Sequence, residues 1–253
     1  MQQFRFIKIS ILFILFIEAE QSSAQNTSVI YLGKTPVNII KQNFGKPSIS
    51  FIDLHENETT SVQAARKFLQ EEGTALLVKI HQKSERNIEF WLQNKKYLFD
   101  PNRIFTSTGR RKTLEKLSSY APAAEKEVEK FADSILSNIK YSKLIIALHN
   151  NTEGAPLSIK NYIGSIHFKT FVNSEMDADD FFLTTEQSIF DFLKEKKMNV
   201  VFELPDTVLD DGSLSIYCNK NKIPYINVEA QEDHFTQQLQ MLETLREIIK
   251  QYK

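Results

Sequence analysis

A chain of 253 residues, 42% hydrophobic and 25% charged, can hold one sizeable α/β domain and has the composition of an ordinary globular protein. Its formal net charge of −1 gives no electrostatic reason to bind nucleic acid or an anionic membrane surface. The single cysteine, Cys218, excludes an intrachain disulfide and a Cys-rich zinc module.

The amino terminus differs from the rest. Arg5 and Lys8 flank the start of an apolar run over residues 9–17, and Ser22-Ser23-Ala24 supplies small residues ahead of Gln25. That is the layout of a secretory signal peptide over residues 1–24, which leaves residues 25–253 as one mature domain. The run is shorter than the ~20 residues a membrane span needs, so no stable membrane insertion of the mature chain is expected. Glu18 and Glu20 fit the pattern less well, and an amino-terminal anchor is the alternative. Export to a periplasm or the exterior follows from the leader.

In chain order, residues 28–32 read as a short strand, and Gly33, Pro36, Gly45 and Pro47 punctuate the stretch after it. Residues 48–55 form an apolar, β-branched strand that stops on His55. Thr59 or Thr60 is placed to cap a helix over 61–71, with Gly73 as its stop. A strand over 74–80 comes next, then a hairpin formed by 87–92 and 97–99. Asp100-Pro101-Asn102-Arg103 reads as a proline-fixed polar loop that Gly109-Arg110-Arg111 continues. Pro122 opens an amphipathic helix to Ile139. A second strand over 143–149 stops on His149, and Asn150 to Gly154 reads as loop.

Residues 155–182 are poorly legible, with a strand somewhere in 165–172. Thr184 or Thr185 caps a helix to about Lys197, a strand over 199–204 carries Glu203, and 213–221 is a short helix holding a buried Cys218. The last strand, 224–229, ends on Glu229, and an amphipathic helix over 234–252 closes the chain. Strands alternating with helices give an α/β class: a mixed, largely parallel sheet with helices on both faces.

Two strands that stop on histidine stand out, because parallel strands deliver polar groups to the sheet edge where ligands bind. His55 and Glu58 are three apart, and His149 would complete a two-His, one-Glu zinc site with a position open for water. Both histidines read equally well as satisfied strand-edge residues.

His55-Glu56-Asn57-Glu58, then Asp100-Pro101-Asn102-Arg103, then Leu148-His149, in that order and spacing, resemble the zinc carboxypeptidase superfamily. The likeness is greatest to its compact branch of succinylglutamate desuccinylase and aspartoacylase. It covers residues 48–150 by motif and the remainder by order of elements. The resemblance implies a zinc-carboxypeptidase-like fold in which His55, Glu58 and His149 bind Zn2+. It implies that Asn102 and Arg103 hold a substrate carboxylate, a task that suits a guanidinium fork. Arg110 or Arg111 could assist an oxyanion, or simply be solvated charges. A general base is expected on the last strand, where Glu229 stands; the alternative is Glu203, whose Phe202-Glu203-Leu204 setting is locally similar. Glu56 departs from the small residue usual in the compact branch and is expected to add a charge beside the metal. The expected activity is an exported zinc-dependent amide hydrolase acting on a peptide with a free carboxylate. The alternatives are an N-acyl-amino-acid deacylase on the same site, or a carboxylate-binding module without catalysis.

Overall fold

Short runs of β-branched and aromatic residues, too apolar to face water on either side, become the central strands; amphipathic runs become the helices that cover them. The computed structural model of the chain describes residues 24–45, 47–152 and 157–253. The expected leader, up to residue 23, and residues 153–156 of the expected loop after His149 lie outside the described residues. None of the described helices is long and apolar enough to cross a membrane.

β1 (Ala24–Leu32) and β2 (Thr35–Gly45) form an antiparallel pair turning at Gly33, whose φ is +58°. The strand over 35–45 is hidden in the sequence by Pro36 and Gly45. Pro36 is tolerated because it precedes Asn38, where pairing with the next strand begins. β3 (Ile49–Asp53) is buried throughout, and the chain then turns through His55 and Glu58 into α1 (Thr59–Glu72). Thr59 and Thr60 do not cap this helix; they lie in its first turn and donate to Glu232. Gly73 ends it in the left-handed conformation, as expected.

β4 (Thr74–His81) leads to the hairpin of β5 (Ile88–Leu92) and β6 (Lys95–Phe99), then a 3-10 turn at Pro101–Arg103. Gly109, Arg110 and Arg111 are helical, not loop. They belong to α2 (Ser107–Leu117), which Thr106 caps by accepting from the Gly109 amide. α3 (Pro122–Ile139) and β7 (Leu144–Asn151) come next, with the strand running two residues past His149. A 3-10 turn at Ile159–Tyr162, β8 (Phe168–Phe171) and β9 (Phe181–Thr184) resolve the poorly legible stretch. Thr184 is in that strand, so α4 (Gln187–Glu195) starts later than the threonines suggest. β10 (Val200–Glu203), α5 (Leu214–Asn221), β11 (Tyr225–Gln231), α6 (Phe235–Thr244) and α7 (Arg246–Gln251) complete the chain.

The nine-stranded sheet has the order β1-β2-β4-β3-β7-β11-β9-β10-β8. Its centre, β4-β3-β7-β11, is parallel, and the flanks are mostly antiparallel. β9 runs against β11 and β10 runs with β9, so β10 points opposite to β3, β7 and β11. One apolar core packs α1, α4, α6 and α7 on one face; a second packs α2, α3, α5 and the β5-β6 hairpin on the other.

The second core contains a close backbone crossing near Arg103. A Cβ built on Gly212, whose φ is +80°, would lie 2.4 Å from the Gly109 Cα and 2.6 Å from the Arg103 carbonyl oxygen. Gly212→Ala should therefore destabilise the fold by about 1–3 kcal/mol in urea unfolding, from combined steric and backbone strain. A loss below about 0.5 kcal/mol, the usual range for an unconstrained surface change, would show that the crossing is not tight.

Candidate metal centre

β3, β7 and β11 run in the same direction, so their carboxyl ends meet at one edge. Glu229 is register partner to His149 on the adjacent strand, and partners on parallel strands point to the same face about 4.8 Å apart. Asp53 is partner to Leu148, which brings the turn after β3 beside the end of β7. That turn is closed by the Glu58 amide donating to the His55 carbonyl at 2.9 Å.

His55, Glu58 and His149 converge there, and their ligand atoms lie within 4.8 Å of one another. His55 Nδ1 is 2.9 Å from Glu58 Oε1, and His149 Nδ1 is 2.8 Å from Glu58 Oε2. The two Nδ1 atoms are 3.2 Å apart. All three residues are buried. Two imidazole nitrogens and a carboxylate aimed at one point are the donor set of a catalytic divalent-metal site, so the residues present fit such an ion. The far nitrogen of His55 supports the fit: Nε2 lies 2.8 Å from Asp100 Oδ1, which leaves the Nδ1 lone pair free to ligate.

The charges follow from this packing. Burial pushes the Glu58 carboxyl up, but the His55 and His149 rings outweigh it and hold it well below the carboxylate range. Burial pulls His55 down, yet Glu58 and Asp100 raise it to about 9. Burial also pulls His149 down, and here it wins. Asp100 is pushed up by burial and brought below its ordinary value by the His55 ring.

Behind the ligands is a buried amide network. The Asn150 amide nitrogen donates to Glu58 Oε2 at 3.1 Å, its side chain donates to Gln238 at 2.7 Å, and Gln238 donates to the His149 carbonyl at 3.1 Å. Asn150 is in β7 rather than in a loop, and its side-chain oxygen accepts from the Ser61 amide at 2.8 Å.

The cluster opens into a cavity of about 660 Å³. Asn102 and Arg103 line it, as does Glu229. Asn102 Oδ1 accepts from the Leu214 amide at the start of α5 at 3.0 Å, which turns its NH2 toward His149, 3.4 Å away. Arg103 is half-exposed and pairs with Asp211 at 3.6 Å, not with Asp100. Glu229 is buried, accepts from Asn227 at 3.2 Å, and is pushed up to about 8 by burial and by the Glu58 charge. Glu203 lines the same cavity but stands apart from the cluster, because β10 runs the other way.

Two residues that touch the cluster have no role marked by the sequence. Asp100 appears there only as part of a turn. Arg86 sits in an unpatterned polar loop, yet its guanidinium bonds Glu58 and lies 3.9 Å from Asp100. Arg110 and Arg111 are on α2, paired with Glu129 and Glu115, and neither lines the cavity. Glu56 turns away from the cluster. Its carboxylate accepts from the Gln82 and Ser84 amides at 2.6 and 2.8 Å and from His81, fixing the loop that carries Arg86. The expected extra charge beside the metal is thus a loop anchor. Tyr162 lines the cavity, the Tyr217 ring is tilted against Phe105, and His234 starts α6 beside Asp180. Cys218 is buried, with its thiol pushed up by burial.

No protein-family model and no curated protein matches the chain. Solved structures do. The succinylglutamate desuccinylase of Chromobacterium violaceum shares 11% identity over 89% of this chain and 69% of its own, with a TM-score of 0.48. An aspartoacylase family protein of Mesorhizobium loti gives 12%, 88%, 65% and 0.43. Thrombin activatable fibrinolysis inhibitor gives 12%, 89%, 71% and 0.49. The chain spans about two thirds of each of these proteins.

Burial raises Glu203 above its ordinary value near 4.5, so the fold favours its protonated form. That stabilisation is complete below the unfolded value and is lost as pH rises through the folded one. Glu203→Gln cannot ionise, so its stability should gain on the wild type between about pH 4.5 and about pH 8. Equal differences at the two pH values would contradict the burial of an ionisable carboxyl here.

Proposed function

We propose that the chain is an exported zinc-dependent amide hydrolase of metallocarboxypeptidase type. The observation that carries this is the convergence of His55 Nδ1, His149 Nδ1 and both Glu58 oxygens on one point beside a buried Glu229. His55, Glu58 and His149 would hold the ion. Zinc in such a site supplies Lewis acidity toward a scissile carbonyl and makes water easier to deprotonate.

The remaining groups divide the work. Glu229 takes a proton from the attacking water and returns it to the leaving amine, a role suited to a carboxyl tuned toward neutrality by its surroundings. Arg86 presents a cation at the edge of the cluster, where negative charge would develop on the carbonyl oxygen. Arg103 and the Asn102 NH2 receive the free carboxylate of the substrate. A peptide or an N-acyl amino acid would present that carboxylate equally well, so a deacylase on the same site is the second reading; what lies on the acyl side distinguishes them. A binding module without catalysis has no use for a buried carboxyl beside a complete ligand set. Export is supported by the amino-terminal sequence pattern and is tested by the first residue of the protein recovered from cells.

Glu229 and His149 separate binding from chemistry. Glu229→Gln should keep about one zinc per chain while kcat on acyl-amino-acid or dipeptide amides falls about 10²–10⁴-fold. His149→Ala should lose the metal as well. Undiminished turnover in Glu229→Gln would remove the assigned base, and no zinc uptake by the wild type would remove the hydrolase.

A further inference from the structure

With Glu229 as the base, a second buried carboxyl in the cavity is left without a task. Glu203 closes β10 and is about as buried as Glu229. Thr184 is register partner to both Phe202 and Ile226, so Glu203 lies level with Tyr225, at the start of β11. From Glu229 that is two strand spacings across and four residues along, roughly 16 Å between α-carbons. Glu203 therefore cannot serve the cluster, yet one cavity reaches both residues.

The surroundings of Glu203 say what it would receive. Its hydrogen-bond partners are neutral: the Asn219 amide at 2.8 Å and the Ser215 hydroxyl. The charge that acts on it is another acid, Asp211. Asp211 also pairs with Arg103, so the carboxylate-binding arginine and Glu203 belong to the same end of the cavity. The lining of the cavity that the cluster and Glu203 share includes Leu157, Phe168, Leu183, Ile216 and Tyr225. Apolar walls with an acid at the far end suit a long aliphatic stem carrying a cationic head. A carboxylate buried without a counter-charge is costly, whereas one paired with a ligand cation is not.

We propose that Glu203 is the floor of a side-chain subsite for a cationic head group, so that the carboxylate-bearing residue of the substrate is lysine-like or arginine-like. This rests on the reading that Asn102 and Arg103 hold that residue's carboxylate. It narrows the substrate class from any free carboxylate to a basic amino acid released by the cleavage.

Equilibrium binding tests the subsite without relying on turnover. The zinc-loaded chain is titrated calorimetrically with free L-lysine and with L-norleucine, which lacks only the ammonium group. Lysine should bind the wild type at least about ten-fold more tightly, as a charge-assisted contact would give. In Glu203→Gln the two affinities should come within about three-fold, with norleucine little changed, which also reports an intact cavity. Arg103→Ala should weaken both ligands together. Equal affinities in the wild type, no binding of either amino acid, or a lysine preference that survives in Glu203→Gln would each overturn the proposal. The wild-type pair decides alone if the variant does not fold. A lysine preference without hydrolysis of any amide would leave the subsite standing and remove the hydrolase, while hydrolysis without a preference would do the reverse.

Discussion

An ionised carboxylate out of contact with water is stable only if other groups replace its hydration. Glu58 is in that position, and the architecture around it supplies the replacement. His55 and His149 face its two oxygens, the Asn150 amide donates to one of them, and the Arg86 guanidinium reaches the other from the rim. Each partner is held from behind: His55 by Asp100, His149 and Asn150 by Gln238, and the Arg86 loop by Glu56. Removing Glu58 would leave two imidazoles facing each other at 3.2 Å with nothing between them.

Strand direction decides which side chains join this cluster. The parallel β3, β7 and β11 bring His55, His149 and Glu229 to one sheet edge, where α/β folds gather their ligands. The reversal at β9 sends β10 the other way, so two glutamates with similar strand-end surroundings are placed far apart. One lies beside the His55, Glu58 and His149 cluster and the other at the far end of the cavity. The proposed division of labour between a proton-transfer group and a substrate-recognition group would thus originate in topology and not in the residues themselves, since both are buried glutamates with carboxyls pushed upward.

Much of the site is legible in the sequence where chemistry and pattern coincide. His55, Glu58 and His149 come after apolar runs that can only be central strands, and the closing strand marks Glu229 in the same way. The β5-β6 hairpin and the proline-opened α3 arise from local turn and helix-start chemistry. The departures have physical causes. β2 carries a proline at a place where sheet pairing does not need its amide, and α2 is polar enough on its exposed side to pass for loop. Arg86 has no periodic neighbours, and its place is fixed by Gln82 and Ser84 amides bound to a glutamate 26 and 28 residues earlier. Glu56 points away from the expected metal because spacing along the chain does not say which way a turn residue faces. The opposed direction of β10, which separates Glu203 from Glu229, depends on long-range pairing that no local pattern encodes.

His55, Glu58 and His149 are proposed to hold one cation among them. X-ray diffraction from zinc-soaked crystals, with anomalous maps recorded on both sides of the zinc absorption edge, tests it most directly. A single strong peak is expected about 2.0–2.2 Å from both Nδ1 atoms and from a Glu58 oxygen, with Asp100 still bound to His55 Nε2. A peak elsewhere, or none at this cluster under saturating zinc, would contradict it.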